Sequence, residues 1–273
     1  MSTNLSVIIP TWNRADTLEG AVRSALAQTL PPLEILVCDD GSTDDSMEIV
    51  KSIRDDRVKW IEGSRSGRPA VPRNRGIKIS QGEWLAFLDS DDKWHPEKIE
   101  RQLDHAEKLK CLAVCSNAYR IVQGKGITGL LLNISGEKIS FSDILHLNHV
   151  ICSSALIHKS LLELIEGFPE DPQLKAIEDY ALWLRVATRT DFAFVKDPLL
   201  DYQDDANDSI RSENASIWVQ RLNVLKNFVD WSKRHDIHHE FLFKVKRKYY
   251  ISALLSKASL LADLFHKTQK TSP

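Results

Sequence analysis

Asp89, Asp91 and Asp92 follow directly on an apolar run, Trp84-Leu85-Ala86-Phe87-Leu88, with Ser90 inside the cluster. Such a run reads as a buried central strand, and acids at its carboxyl end emerge at the sheet edge where open α/β folds bind ligands. Carboxylates this close repel one another, and a hard divalent cation, Mg²⁺ or Mn²⁺, relieves the repulsion. Mg²⁺ keeps few protein ligands and draws the rest from water and phosphates, so the cluster points to a phosphate-bearing substrate. The alternative is a polar loop ahead of a helix, with Pro96 at a first helical position and Glu97 favouring the N-terminal turn.

A second acidic strand end favours the chemical reading. Leu33 to Cys38 is apolar apart from Glu34 and runs into Asp39-Asp40 and Gly41-Ser42-Thr43-Asp44. Gly41 permits a tight turn, and Ser42 or Thr43 is placed to cap the helix that begins near Met47. A third acidic pair, Glu178-Asp179, opens the segment Ala176 to Ala187, whose apolar spacing suits a helix. There the acids serve either the helix dipole or chemistry.

The elements needed to position these residues alternate. Strand patterns cover Leu5 to Ile9, Leu33 to Cys38, Val58 to Ile61 and Trp84 to Leu88; helical patterns cover Thr17 to Gln28, Thr43 to Arg54, Arg73 to Ser80 and Pro96 to Leu109. This rhythm predicts an α/β fold with a mostly parallel sheet whose strand ends share one face. Beyond it, Leu112 to Cys115 and Ile151 to Ile157 read as strands, Leu161 to Ile165 as a further element, and Gly124 to Gly129 as a turn-rich loop.

With 273 residues the chain has room for one large domain and a small appendage. Cys38, Cys111, Cys115 and Cys152 show no zinc-type pairing, and reduced buried thiols in a cytosolic protein are expected. Polar residues and then a strand follow Met1, so no secretory signal is expected, and no apolar stretch approaches the roughly 20 residues of a membrane span. The net charge of −2 hides an asymmetry: residues 215–273 hold eleven Lys and Arg against four Asp and Glu, or +7, leaving −9 for the rest.

Five motifs in order resemble the inverting family 2 glycosyltransferases of GT-A fold: Pro10-Thr11-Trp12-Asn13-Arg14, Asp39 to Asp44, Pro72-Arg73-Asn74-Arg75-Gly76, Asp89-Ser90-Asp91-Asp92 as the family's DxD element, and Glu178-Asp179. The resemblance covers roughly residues 5–205. It implies a catalytic domain over 1–212, with a nucleotide-binding half to about residue 110 and an acceptor half from about 111, and a basic amphipathic helical extension over 213–273.

Carried over by position, Pro10, Thr11 and Asn13 line the nucleotide cleft, Asp39 meets the base and Asp40 lies beside it. Arg68 and Arg73, with Arg14, are placed at the diphosphate, whose oxygens a planar guanidinium matches, or else pair with the acidic strand ends. Asp89 approaches the ribose or the metal, and Asp91 ligates Mn²⁺ or Mg²⁺ directly. Asp179 is the expected general base and Glu178 its acceptor-orienting neighbour; Trp183 offers a face to the acceptor sugar or packs in the core. Family members often carry a His after a tyrosine near the end of this domain, where the chain reads Tyr202-Gln203 to Arg211 without one; Asp205 or Asn207 occupies that region instead, leaving Ser209 and Arg211 to close on the diphosphate.

The resemblance implies transfer of a hexose, glucose or galactose, from a UDP-sugar to a glycan acceptor, a lipid-diphosphate-linked sugar of O-antigen or other surface polysaccharide assembly. A catalytically impaired nucleotide-sugar-binding module of the same fold is the alternative. In the tail, Trp218, Leu222, Leu225 and Val229, then Tyr250, Leu254, Leu261 and Phe265, recur at helical spacing among lysines and arginines. Such helices either pack on the catalytic domain or rest on an anionic membrane from the cytoplasmic side. No nucleic-acid motif accompanies the charge. Pro10 to Asp16 contains no glycine, which argues against a sugar-nucleotide pyrophosphorylase and a Rossmann dehydrogenase.

Overall fold

The computed structural model describes residues 3–204 and 217–253. The chain divides into two compact units, Met1–Ser209 and Ile210–Pro273. In the first unit the elements run β1 (Leu5–Thr11), α1 (Leu18–Leu26), β2 (Glu34–Asp39), α2 (Ser46–Ser52), β3 (Val58–Ile61), α3 (Ala70–Ile79), β4 (Trp84–Phe87), β5 (Lys93–Trp94), α4 (Lys98–Leu109), β6 (Ala113–Val122), β7 (Gly126–Leu130), β8 (Lys138–Ile139), α5 (Phe141–His146), β9 (Leu156–His158), α6 (Lys159–Leu164), α7 (Glu178–Val186) and β10 (Phe192–Gln203). The second unit holds α8 (Ile217–Ser232) and α9 (residues 239–253).

One mixed sheet carries the first unit in the order β3-β2-β1-β4-β9-β6-β10-β5, with β7 beside β6 and β8 beside β10. Most of its ladder is parallel: β1 pairs with β2 and β4, β2 with β3, and β6 with β10, while β9 lies antiparallel between β4 and β6. β1 and β2 are buried along their whole length, as continuous apolar runs in a helix-covered sheet require. Helix α3 crosses close to this layer: a Cβ on Gly76 would meet Ile8 Cγ2 at 2.7 Å and Cys38 Sγ at 2.9 Å. All four cysteines are free and buried.

Several segments differ from the sequence expectation. Gly126–Leu130 forms β7, hairpinned onto β6 with every residue exposed, held by backbone pairing and by Thr128 Oγ1 donating to the Arg120 carbonyl at 3.1 Å. Ile151 to Ile157 is strand only at its end; Cys152–Ser154 is a 3-10 turn leading into β9. Phe192–Gln203 forms β10, whose register against β6 shifts on either side of Pro198. In α8 the buried residues are Val224, Leu225, Phe228 and Trp231, so only Leu225 of the expected stripe is fully enclosed. Tyr250 is exposed, and Leu254, Leu261 and Phe265 lie outside the described residues. No helix among the described residues is long and apolar enough to cross a membrane.

At the edge of the sheet opposite the acidic strand ends, Glu34 joins four segments. Its carboxylate accepts from Ser6 Oγ at 2.8 Å, Gln81 N–H at 2.7 Å and Lys59 Nζ at 2.8 Å. Burial works to raise its pKa, but the bonds from Lys59, Gln81 and Ser6 outweigh burial and hold it below the usual value. Ionised Glu34 therefore stabilises the fold above its unfolded pKa of about 4.3, and that contribution disappears as the pH falls through the lowered folded value. Glu34→Ala should cost about 2 kcal/mol in urea unfolding at neutral pH, because buried donors lose their acceptor, and should flatten the loss of stability on the acid side.

Candidate active site

Because β1, β2 and β4 are parallel, their carboxyl ends open on one edge of the sheet. Pro10 and Thr11 close β1 in register with Cys38 and Asp39, and Asp89 emerges just after β4. Thr11 is buried with its hydroxyl unpartnered. Asn13, at a φ of 50°, stitches the two loops: its N–H donates to Ser42 Oγ at 2.9 Å and its Oδ1 accepts from Thr43 N–H at 2.8 Å. Ser42 and Thr43 are thus used for this stitch and do not cap α2. Asp44 takes that place, accepting from Ser46 N–H at 3.1 Å while also holding Ala15 N–H at 3.0 Å.

The two aspartates after β2 turn inward. Asp39 accepts the N–H groups of Gly41 and Ser42, each at 3.0 Å, around a glycine whose φ of 81° excludes most side chains. Asp40 is filled by the loop after β3: Arg65, the N–H of Ser66 at 2.9 Å, the hydroxyl of Ser66 at 2.7 Å and the N–H of Gly67 at 2.9 Å. Its geometry makes it the anchor of that loop, with both carboxylate oxygens engaged by protein donors. Arg65 in turn lies over the half-exposed Trp12 ring at 3.6 Å.

Arg73, placed by the resemblance at the diphosphate, is only 5% exposed. Its Nη1 donates to Glu178 Oε1 at 2.6 Å and its Nη2 to Asp89 Oδ1 at 2.7 Å, so it follows the second expectation and pairs with acids. Burial opposes its charge; Cys152, Asp89 and Glu178 around it outweigh burial and raise its pKa well above the ordinary value. The next residue, Asn74, donates to the Phe168 carbonyl at 2.8 Å and accepts from Phe168 N–H at 2.9 Å, and Arg68 donates to the Glu170 carbonyl. Helix α3 thereby clamps the segment that leads into α7.

At the start of α7, Glu178 is buried and Asp179 half-buried. Asp179 accepts from Asn148 Nδ2 at 3.3 Å and from Tyr180 N–H at 2.7 Å. Ala176, at a φ of 65°, makes the turn that sets this helix start. Trp183, by contrast, is fully enclosed, with ring centroids 6.0 Å from Phe168, 6.5 Å from Phe87 and 5.6 Å from Phe192. An acceptor role for Trp183 is therefore corrected: its ring is a core element one turn beneath the acids.

Two residues escaped sequence reasoning. Ser153, inside what reads as a strand, accepts Asp89 N–H at 3.0 Å through its hydroxyl and Trp94 Nε1 at 2.7 Å through its carbonyl. Cys152 lies among Arg73, Asp89, Asp179 and Glu178, and burial pushes its thiol well above the usual range against the pull of Arg73. Neither residue has a local signal, since both lie in an apolar run.

Asp92 is buried, with Oδ1 accepting Gln203 N–H at 2.9 Å and Oδ2 unpartnered. Burial, then Asp91 and Asp89, push its carboxyl well above the usual range. Among the described residues no group of three or more His, Cys, Asp or Glu is arranged to hold a metal ion. The donor chemistry nevertheless fits one: Asp89, Asp91 and Asp92 crowd one turn, and Mg²⁺ or Mn²⁺ needs only one or two carboxylates from a protein. Residues 205–211, expected near the diphosphate, lie outside the described residues. Within the described part, Asp201 meets His95 Nε2 at 3.0 Å.

Known proteins share the family and the fold of this chain. The family described as Glycosyl transferase family 2 matches residues 6–165. Among curated relatives, the UDP-Glc:alpha-D-GlcNAc-diphosphoundecaprenol beta-1,3-glucosyltransferase WfaP of Escherichia coli is 33% identical over 223 residues, covering 82% of this chain and 86% of that protein. Among solved structures, S. aureus TarS 1-349 in complex with UDP-GlcNAc superposes with a TM-score of 0.73 at 19% identity, over 92% of this chain and 72% of the other. The mannosyltransferase PcManGT from Pyrobaculum calidifontis, in complex with GDP-Man and Mn²⁺, gives 0.61 at 18% identity, over 96% and 76%. The structural likenesses establish the GT-A fold, and with the family match and the strand-end acids they lead to one conclusion: this chain belongs to glycosyltransferase family 2.

Proposed function

We propose that this enzyme moves a hexose, glucose or galactose, from a UDP-sugar to a hydroxyl of a lipid-diphosphate-linked glycan in O-antigen or other surface polysaccharide assembly, at the cytoplasmic face of the membrane. The observation that carries the reading is the charge balance. The buried Arg73 compensates only Asp89 and Glu178, while Asp91 and Asp92 crowd the same turn as Asp89, Asp179 follows Glu178, and Asp92 already resists ionisation. A nucleotide diphosphate, itself anionic, cannot approach such a site unless a further cation accompanies it. Asp91, with Asp89, would hold Mn²⁺ or Mg²⁺, which when bound stabilises negative charge on the departing diphosphate. The WfaP and TarS likenesses support a uridine nucleotide, and WfaP supports a lipid-linked acceptor.

In this reading the nucleotide-binding half, to about residue 110, holds the donor between the loops after β1 and β2, with Pro10, Thr11, Asn13 and Asp39 on its walls. Those loops are already tied together by Asn13, and Asp40 ties the second to the loop after β3, so donor binding requires little ordering. The acceptor half, about 111–212, presents Asp179. An acceptor hydroxyl attacks the anomeric carbon from the face opposite the diphosphate; the carbon–oxygen bond to the diphosphate breaks, and the hydroxyl proton passes to the Asp179 carboxylate. Glu178 cannot share that work while its Oε1 is bound to Arg73; it keeps Asp179 in place.

Asp179→Asn should leave UDP binding by calorimetry unchanged and lower kcat by about 10²- to 10⁴-fold, whereas Asp91→Ala should weaken metal-dependent donor binding. Near-normal turnover in either variant removes that residue from its role. A screen of UDP-, GDP- and dTDP-sugars against GlcNAc-diphosphate-lipid analogues, with the anomeric configuration read by NMR, tests the reaction; a β-linked product from an α-linked UDP-hexose is expected. Arg73→Met leaves two acids uncompensated and should lower stability by about 3 kcal/mol or more in urea unfolding. Arg73→Lys should not rescue it, because one ammonium lacks the fork that spans both carboxylates.

A further inference from the structure

The second unit has a surface that catalysis does not explain. On α9 the enclosed residues are Val245 and Ser252, at 0% and 1% exposure, while Phe243, Tyr250 and Ile251 stand 69%, 67% and 43% exposed. Residues 243, 250 and 251 share one helix face, seven and eight positions apart, and the exposed Lys246 and Arg247 lie on that face between them. Lys244 is held by Glu240 at 2.6 Å, so the free basic charge of this face rests on Lys246 and Arg247.

Large apolar side chains grouped on the outer face of a helix mark a contact surface. Their interleaving with cations specifies the partner. Aromatic rings settle at the level of lipid headgroups, and Lys and Arg beside them meet anionic phosphates. A second copy of the chain is a poorer occupant, since it would bring one +7 segment against another. We propose that the outer face of α9, through Phe243, Lys246, Arg247, Tyr250 and Ile251, docks on an anionic lipid bilayer. The inference deepens the reading of a lipid-linked acceptor, for which surface attachment confines enzyme and substrate to the same plane, but its test does not depend on turnover.

The test is flotation of the full chain with vesicles of phosphatidylethanolamine and phosphatidylglycerol, against vesicles of phosphatidylcholine alone. The chain should float with the anionic vesicles only, and high salt should release it. Phe243→Ser with Tyr250→Ser should lower partitioning by about tenfold or more through lost apolar contact. Lys246→Ala with Arg247→Ala should lower it by roughly twenty-five-fold, about fivefold per charge. Circular dichroism and thermal melting establish that each variant is folded, and turnover on a short-chain water-soluble acceptor should be unchanged. Failure of the wild-type chain to float overturns the proposal, as does equal flotation of the folded variants or a dimer that the Phe243 and Tyr250 replacements dissolve. Absence of turnover with intact flotation would instead count against the proposed reaction and leave the docking face standing.

Discussion

A single buried guanidinium ties three distant elements of the first unit together. Arg73 arrives on α3, the helix of the third crossover, and meets Asp89 from the end of β4 and Glu178 from the start of α7, 105 residues further on. Burying any of these charges alone would cost several kcal/mol. Together they form two short charge-assisted bonds, and the planar fork of arginine lets one cation serve both acids. The place of Asp179 at the mouth of the sheet follows, because it is the residue after Glu178 on a helix whose start Arg73 pins. Asn74 and Arg68 add backbone anchors on the same side of α3, so the approach to α7 is fixed at several points.

The remaining acids set the chemistry. Arg73 neutralises part of the charge, and Asp92 is left buried with one oxygen unpartnered and its carboxyl resisting ionisation. Ser153 fixes the backbone of Asp89 and Gln203 N–H holds Asp92, which keeps the turn in place despite the repulsion within it. Such a turn is costly for stability and suited to receiving a cation, the usual relation between strain and function in a binding site. After β2 the opposite holds: Asp39, Asp40 and Asp44 have found protein donors and hold loop backbone.

What the residues reveal on their own is everything governed by near neighbours. Strand and helix periods are local, so the βα rhythm of the first half, the shared edge of its strand ends and the acids placed there are legible, and motif order adds the family. Where neighbours in space replaced neighbours in sequence, reading failed. Trp183 has the same local surroundings whether it faces a sugar or Phe168, and only the aromatic cluster around it decided for the core. Ser153 sits in an apolar run, β7 forms on backbone pairing without an apolar face, and β10 is broken by Pro198 yet completed by its partner β6. The sequence by itself determined the fold class and the set of candidate acids, because periodicity and strand-end chemistry are written along the chain. The tertiary structure decided which acid is paired, which is filled by a loop and which remains for chemistry, because burial and ion pairing depend on residues a hundred positions apart.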